Sequence, residues 1–272
     1  MACEHKPNEC EDSGAKVREG GVDAPDACVN GAAACESDAS AAAANSAAAG
    51  EPANNAAACE SALPVFDVIL ASSSPRRKQL LEQAGVAFTV LSADVDESLE
   101  PDDLAQPDQA CRKLAERKAQ AVVQQVLSDP SYVGSFVVLG SDTMVVCDGE
   151  IFGKPADEAD ATRMLSRLAG RSHEVMTSVS LWMVMAPADQ DLSLGFRSFV
   201  DTSIVTFKDL TSEDIAEYLA EGESFDKAGA YAIQGAGARL VERVHGSMDT
   251  VIGLPVERLM REYGDILLPT VP

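Results

Sequence analysis

From residue 65 onward, apolar positions follow two alternating rhythms: short runs rich in β-branched residues, and longer stretches where apolar side chains return every three or four positions. VFDVIL (65–70) predicts a buried strand. A helix is predicted from Pro75 to Gly85, with Pro at its first position and Leu80, Leu81 and Ala84 on its apolar face. A second strand is expected at 87–93 and a long helix at 109–127, stopping before Asp129-Pro130. Residues 135–140 read as one strand. Residues 144–147 read as another, paired with 150–152 across the hairpin signal Asp148-Gly149. A helix at 157–168 ends before Gly170, and two long strands at 174–184 and 196–207 are joined by a polar loop. Thr211 caps a helix that runs to Glu221 and ends at Gly222. Short strands at 230–233 and 238–244 and a helix at 255–263 complete the pattern, which predicts an α/β fold around a mixed sheet.

Residues 1–64 break both rhythms. They contain no Phe, Tyr, Trp or Ile and a single Leu, Leu63, and Ala dominates them. With 11 acidic and 3 basic side chains, this tail carries −8 of the chain's net −23. Such a stretch has too little apolar surface to offset its ordering entropy, so a disordered tail is expected ahead of one domain at 65–272. Five cysteines (Cys3, Cys10, Cys28, Cys35 and Cys59) lie in it, too widely spaced for a zinc site, and are expected to be free thiols. Cys111 and Cys147 are expected to pack as small apolar residues. The acidic balance excludes a nucleic acid polymer held by a global basic surface. No run approaches the roughly 18 apolar residues of a membrane span, and the first residues lack a signal-peptide pattern, so a cytoplasmic protein is expected.

Several segments carry candidate chemistry. In Leu70–Arg77, LASSSPRR, a strand leads into a helix N-terminus, where free amides and the helix dipole attract anions. Ser72, Ser73 and Ser74 add hydroxyls, and Arg76 and Arg77 add forks suited to phosphate oxygens. A capped helix with two solvent-facing arginines is the plain alternative. Asp142 follows an apolar strand and a Gly in VLGSDT, the place of a base or metal ligand at a sheet crevice, or of an ordinary turn Asp. Lys154 is pinned between Gly153 and Pro155, whereas Lys118 on a long helix is by default a solvated charge. Glu97 ends the acidic run DVDE and offers, with Asp142, a carboxylate pair for a divalent cation. In DKAGAYAIQG (226–235), glycines allow close approach of a ligand, and Gln234 offers both a donor and an acceptor to a base edge. His173 and His245 have no matching cluster and read as structural or surface histidines.

Taken together and in order, LASSSPRR, LLEQAGVAF, DVDES, LAERKA, LGSDTMVV, GKP, MLSRLAGRSHEVMTSV, DKAGAYAIQG and VIGLPV resemble the Maf family of nucleoside triphosphate pyrophosphatases. The resemblance implies hydrolysis between the α- and β-phosphates with Mg2+ or Mn2+, in a two-lobed α/β fold around a central cleft, a mixed twisted sheet flanked by helices. It places the general base on Asp142, phosphate handling on Ser72, Arg76, Arg77, Lys118 and Lys154, and a metal-site carboxylate on Glu97. Arg76, Thr143 and Gln234 match the branch that acts on dTTP and UTP rather than 7-methyl-GTP. Ser141 departs from the Ala usual there, and the long tail is not a family requirement. Homodimerisation is a further expectation from the resemblance. A nucleotide-binding regulator of cell division with little turnover and a 7-methyl-GTP pyrophosphatase are the alternatives.

Overall fold

The computed structural model describes residues 66–132, 134–185 and 191–268. The expected disordered tail, its cysteines and part of the polar loop after residue 185 lie outside them.

A mixed sheet of seven strands organises the domain, in the order β2-β1-β3-β5-β6-β7 with β4 paired to β3. The strands are β1 (Asp67–Leu70), β2 (Phe88–Val90), β3 (Phe136–Cys147), β4 (Glu150–Phe152), β5 (Ser172–Met185), β6 (Ser193–Phe207) and β7 (Val241–His245). β1 lies parallel to both β2 and β3, and the remaining pairs are antiparallel. Helices α1 (Pro75–Gln83), α2 (Pro101–Leu104), α3 (Pro107–Ser128), α4 (Glu158–Leu168), α5 (Ser212–Ala220), α6 (Met248–Ile252) and α7 (Val256–Leu267) flank it.

Several elements end where their residues require. Thr211 and Asp214 form a reciprocal capping box on α5, and the Asp157 side chain caps α4. Two short helices, α2 and α6, were not expected from the pattern. Two strand predictions are corrected. Residues 135–140 and 144–147 belong to one continuous strand, because β5 pairs with β3 from Phe136 to Val146 and satisfies the backbone through the polar GSDT stretch. Residues 230–233 do not form a strand. Gly229 and Ala230 take positive φ in a 3-10 turn, and a second 3-10 turn at Gly235–Leu240 precedes β7.

One face of the long strands carries two separate apolar cores. At one end, α1 and α7 pack on Val68, Leu70, Val137, Leu139, Val179 and Leu181. At the other, α4 and α5 pack on Val145, Cys147, Phe152, Val175 and Phe207. Between them runs a polar belt. The Thr143 and Thr177 hydroxyls meet at 3.0 Å, Thr177 donates to Thr250 O at 2.7 Å, and Ser141 donates to Gly253 O at 3.1 Å. The belt separates the two cores. On the opposite face lies α3, drawn close at Gly140, where an added Cβ would meet Ala115 O at 2.6 Å. Cys111 and Cys147 are buried free thiols, as expected of small apolar residues.

Candidate active site

The sheet topology leaves one edge of β3 open. β5 covers the other edge throughout. On the open side β1 pairs with β3 only as far as Leu139, and β4 begins only at Val145. Residues 140–144 therefore face a gap. The crevice that the sequence placed at the end of a strand is produced by the end of β1, while Asp142 itself sits inside β3. A cleft of about 1110 Å³ opens at this gap. Ser72, Arg76, Arg77, Glu97, Lys118, Asp142, Thr143, Lys154 and Gln234 all line it, so every candidate site residue named from the sequence comes to one place.

Asp142 is the most enclosed carboxylate of the group, 8% exposed. Burial pushes its pKa upward, against the pull of Lys118 and Arg77. Lys118 reaches it from α3, with Nζ 2.5 Å from Asp142 Oδ1 and 2.8 Å from Glu97 Oε1. Burial alone would lower the Lys118 pKa, but the two carboxylates raise it. Glu97 also approaches Lys154, at 3.7 Å. Burial opposes ionisation of Glu97, yet the two lysines hold its pKa below the usual value. The loop carrying Glu97 is tied back to α3 by Arg117, which donates to Asp96 O at 3.1 Å and Ser98 O at 2.8 Å. Lys118 is thus a member of the site and not a solvated helix charge.

Arg77 plays a different part from its neighbour. Its Nε donates to Gly253 O at 2.8 Å, Nη1 to Ser72 Oγ at 3.1 Å and Nη2 to Thr143 Oγ1 at 3.1 Å. The guanidinium joins the LASSSPRR loop, the polar belt and the loop after α6. Burial lowers its pKa, offset in part by Asp142. Arg76 forms no hydrogen bond or ion pair among the described residues, and lies near enough to Asp226 to lower that carboxyl's pKa. In that shift burial opposes, Lys227 is the main partner and Arg76 adds to it. Arg76 therefore belongs to the end of the cleft bounded by residues 225–235.

That segment is pinned at several points. Tyr231 OH lies 2.8 Å from His173 Nε2, Ala232 N donates to Tyr218 OH at 3.1 Å, and Gly229 N donates to Gly153 O at 3.0 Å. His173 is thus a buried support, its pKa pushed down to about 4 by burial, and His245 is an exposed strand residue. Two cleft residues escaped the sequence reading: Lys227, ion-paired with Asp226, and Phe225, exposed beside them. A signal for Phe225 was present, namely a bulky aromatic directly before a motif of small and charged residues.

Among the described residues no group of three or more His, Cys, Asp or Glu is placed to hold a metal. Glu97 and Asp142 nevertheless fit Mg2+ or Mn2+ that is bound jointly with a substrate. Such ions take one or two carboxylates together with phosphate oxygens more often than an all-protein cage, and both carboxylates reach the same Lys118 nitrogen.

A cleft at a break in a mixed sheet, with cations gathered around a buried carboxylate, defines a site for a polyanionic small molecule. The model of the family described as Maf-like protein matches residues 67–265, and the chain belongs to the Maf family. It is 45% identical over 195 residues to the dTTP/UTP pyrophosphatase of Geobacillus sp. (strain WCH70), spanning 72% of this chain and 95% of that protein. It is 46% identical over 195 residues to the dTTP/UTP pyrophosphatase of Halalkalibacterium halodurans, spanning 71% of this chain and 93% of that protein. A solved nucleoside-triphosphatase (dITP/XTP pyrophosphatase) from Mycobacterium abscessus aligns over 76% of this chain and 100% of its own, with 12% identity and a TM-score of 0.31.

Proposed function

We propose that this chain hydrolyses dTTP and UTP to the nucleoside monophosphate and pyrophosphate, through a catalytic domain at 65–272. The observation that carries the reading is the convergence of Ser72, Arg76, Lys118, Lys154 and Asp142, from distant parts of the chain, on one cleft. Relatives 45% and 46% identical named for that activity give the substrate class.

The mechanism is chiefly electrostatic. Lys118, Lys154, Arg76 and the amides at the start of α1 neutralise the triphosphate and hold the leaving pyrophosphate. Glu97 and Asp142 would hold Mg2+ or Mn2+, which when bound would supply further charge neutralisation. Asp142 orients a water and takes its proton as the water oxygen attacks the α-phosphorus. The bond from that phosphorus to the bridging oxygen breaks, and pyrophosphate departs with the electron pair. Lys118, shared by Glu97 and Asp142, presents its ammonium to the cleft where a phosphate oxygen would lie. Arg77 acts through others: its fork fixes the Ser72 hydroxyl toward the phosphates and holds Thr143. Gln234, an exposed residue of the cleft lining, pairs with the pyrimidine edge, and loss of such a hydrogen bond costs about 0.5–1.5 kcal/mol, or roughly two- to tenfold in selectivity.

No helix among the described residues is long and apolar enough to cross a membrane. Pyrophosphate release from a nucleotide panel tests the reading. dTTP and UTP should be cleaved well above CTP and 7-methyl-GTP, and Asp142→Asn should stop release while UTP still binds. Binding without release by the wild type would favour a regulator instead, and preferred cleavage of 7-methyl-GTP would reassign the branch.

A further inference from the structure

We propose that Phe225 is the platform on which the nucleobase stacks. The proposal deepens the pyrophosphatase reading and rests on it for the identity of the ligand. Phe225 is 43% exposed, although large apolar side chains are normally withdrawn from water. The other aromatic rings of the cleft, Phe152 and Tyr231, are only 1% and 5% exposed and are spent on the core.

The backbone around Phe225 is built to hold it there. Lys227 N donates to Ser224 O at 3.3 Å, so Phe225 and Asp226 form the tip of a turn rooted on the fully buried Ser224. Glu223 accepts from Ala236 N at 3.2 Å, which ties the residues before Phe225 to those after Gln234. Gly235 sits beside this carboxylate with φ +71°, a left-handed conformation that favours glycine at the clamp. Phe225 and Gln234 therefore enter the cleft as one unit. Both residues line the cleft that Asp142 also lines, and Phe225 adjoins Asp226, which lies near Arg76. A triphosphate with its α-phosphorus at Asp142 would direct its base toward them. A ring face is tolerant of base identity, whereas an amide reads the edge. The division of labour is that Phe225 supplies affinity for the base and Gln234 supplies the choice.

The test uses full-length wild type, Phe225→Ala, Phe225→Leu and Phe225→Trp. It measures kcat and KM by pyrophosphate release with dTTP, UTP and CTP, and Kd for UTP and inorganic tripolyphosphate by calorimetry in EDTA. Phe225→Ala should raise KM and the UTP Kd about five- to 150-fold, the range of base–aromatic stacking. It should leave kcat, the order of the nucleotides and the tripolyphosphate Kd unchanged. Phe225→Trp should restore UTP affinity, and Phe225→Leu, apolar but without a ring, should not. If the alanine variant fails to fold, the Leu–Trp comparison decides. An unchanged UTP Kd without the ring, or an equal loss of tripolyphosphate affinity, overturns the proposal. A wild type that binds UTP and releases no pyrophosphate defeats the enzymatic reading, while the two Kd values still decide stacking.

Discussion

Substituting Arg77 by Lys keeps the charge and removes the fork, so it separates two roles that the sequence cannot distinguish. The guanidinium makes three hydrogen bonds, to Gly253 O, Ser72 Oγ and Thr143 Oγ1, at 2.8, 3.1 and 3.1 Å. An ammonium, a point charge without the planar fork, satisfies one of these at most. Hydrogen bonds to charged groups contribute about 1.5–3 kcal/mol each. Two lost bonds set an upper bound of about 3–6 kcal/mol, which must be reduced because the cleft admits water to Ser72 and Thr143. Gly253 O also keeps its bond from Ser141. A net loss of about 2–3 kcal/mol follows, or about 4–12 °C in Tm for a domain of this size. Thermal unfolding followed by circular dichroism measures it, alongside kcat and KM. Arg77→Met should destabilise similarly, because geometry and not charge is what is lost. Both should lower kcat more than they raise KM, since Ser72 and Thr143 lose their positions. If Arg77→Lys has wild-type Tm and kcat while Arg77→Met is inactive, Arg77 acts as a phosphate-binding charge and the positioning argument fails.

Other outcomes follow from the same geometry. Because burial raises the folded-state pKa of Asp142 above its unfolded value, ionising it costs stability as pH rises through that window. Asp142→Asn should therefore be more stable than wild type at neutral pH, with the advantage vanishing in acid below the ordinary carboxylate range; urea midpoints across pH measure this, and a constant difference would contradict it. Gly140→Ala forces a Cβ to within 2.6 Å of Ala115 O and should cost about 1–3 kcal/mol in denaturant titration. It should also lower kcat by pushing α3, and Lys118 with it, away from β3. Tyr231→Phe removes the partner of His173 Nε2 in a buried site where Nδ1 already has none. It should cost about 1–3 kcal/mol in urea midpoint and m-value analysis and raise KM by loosening the segment that carries Gln234.

Much of this molecule was readable from local chemistry. Pro75, Thr211, Asp157, Gly170 and Gly222 mark helix boundaries because caps and terminators act over a few residues, and their signals survive in the chain itself. The ordered motifs located every candidate side chain. What the chain could not show is non-local. GSDT at 140–143 looks like a turn until β5, more than thirty residues away, pairs with it and makes it strand interior. Ala230–Ile233 looks like a strand until positive φ at Gly229 and Ala230 curls it. Whether Lys118 faces solvent or the cleft depends on a remote contact at Gly140, whose missing side chain lets α3 approach β3 and Lys118 reach Asp142. The gap between β1 and β4 creates the cleft, and no residue signals it because it is a property of two strand registers on a third strand. Backbone propensity is written residue by residue, whereas a pocket exists only once elements remote in sequence have committed to shared neighbours.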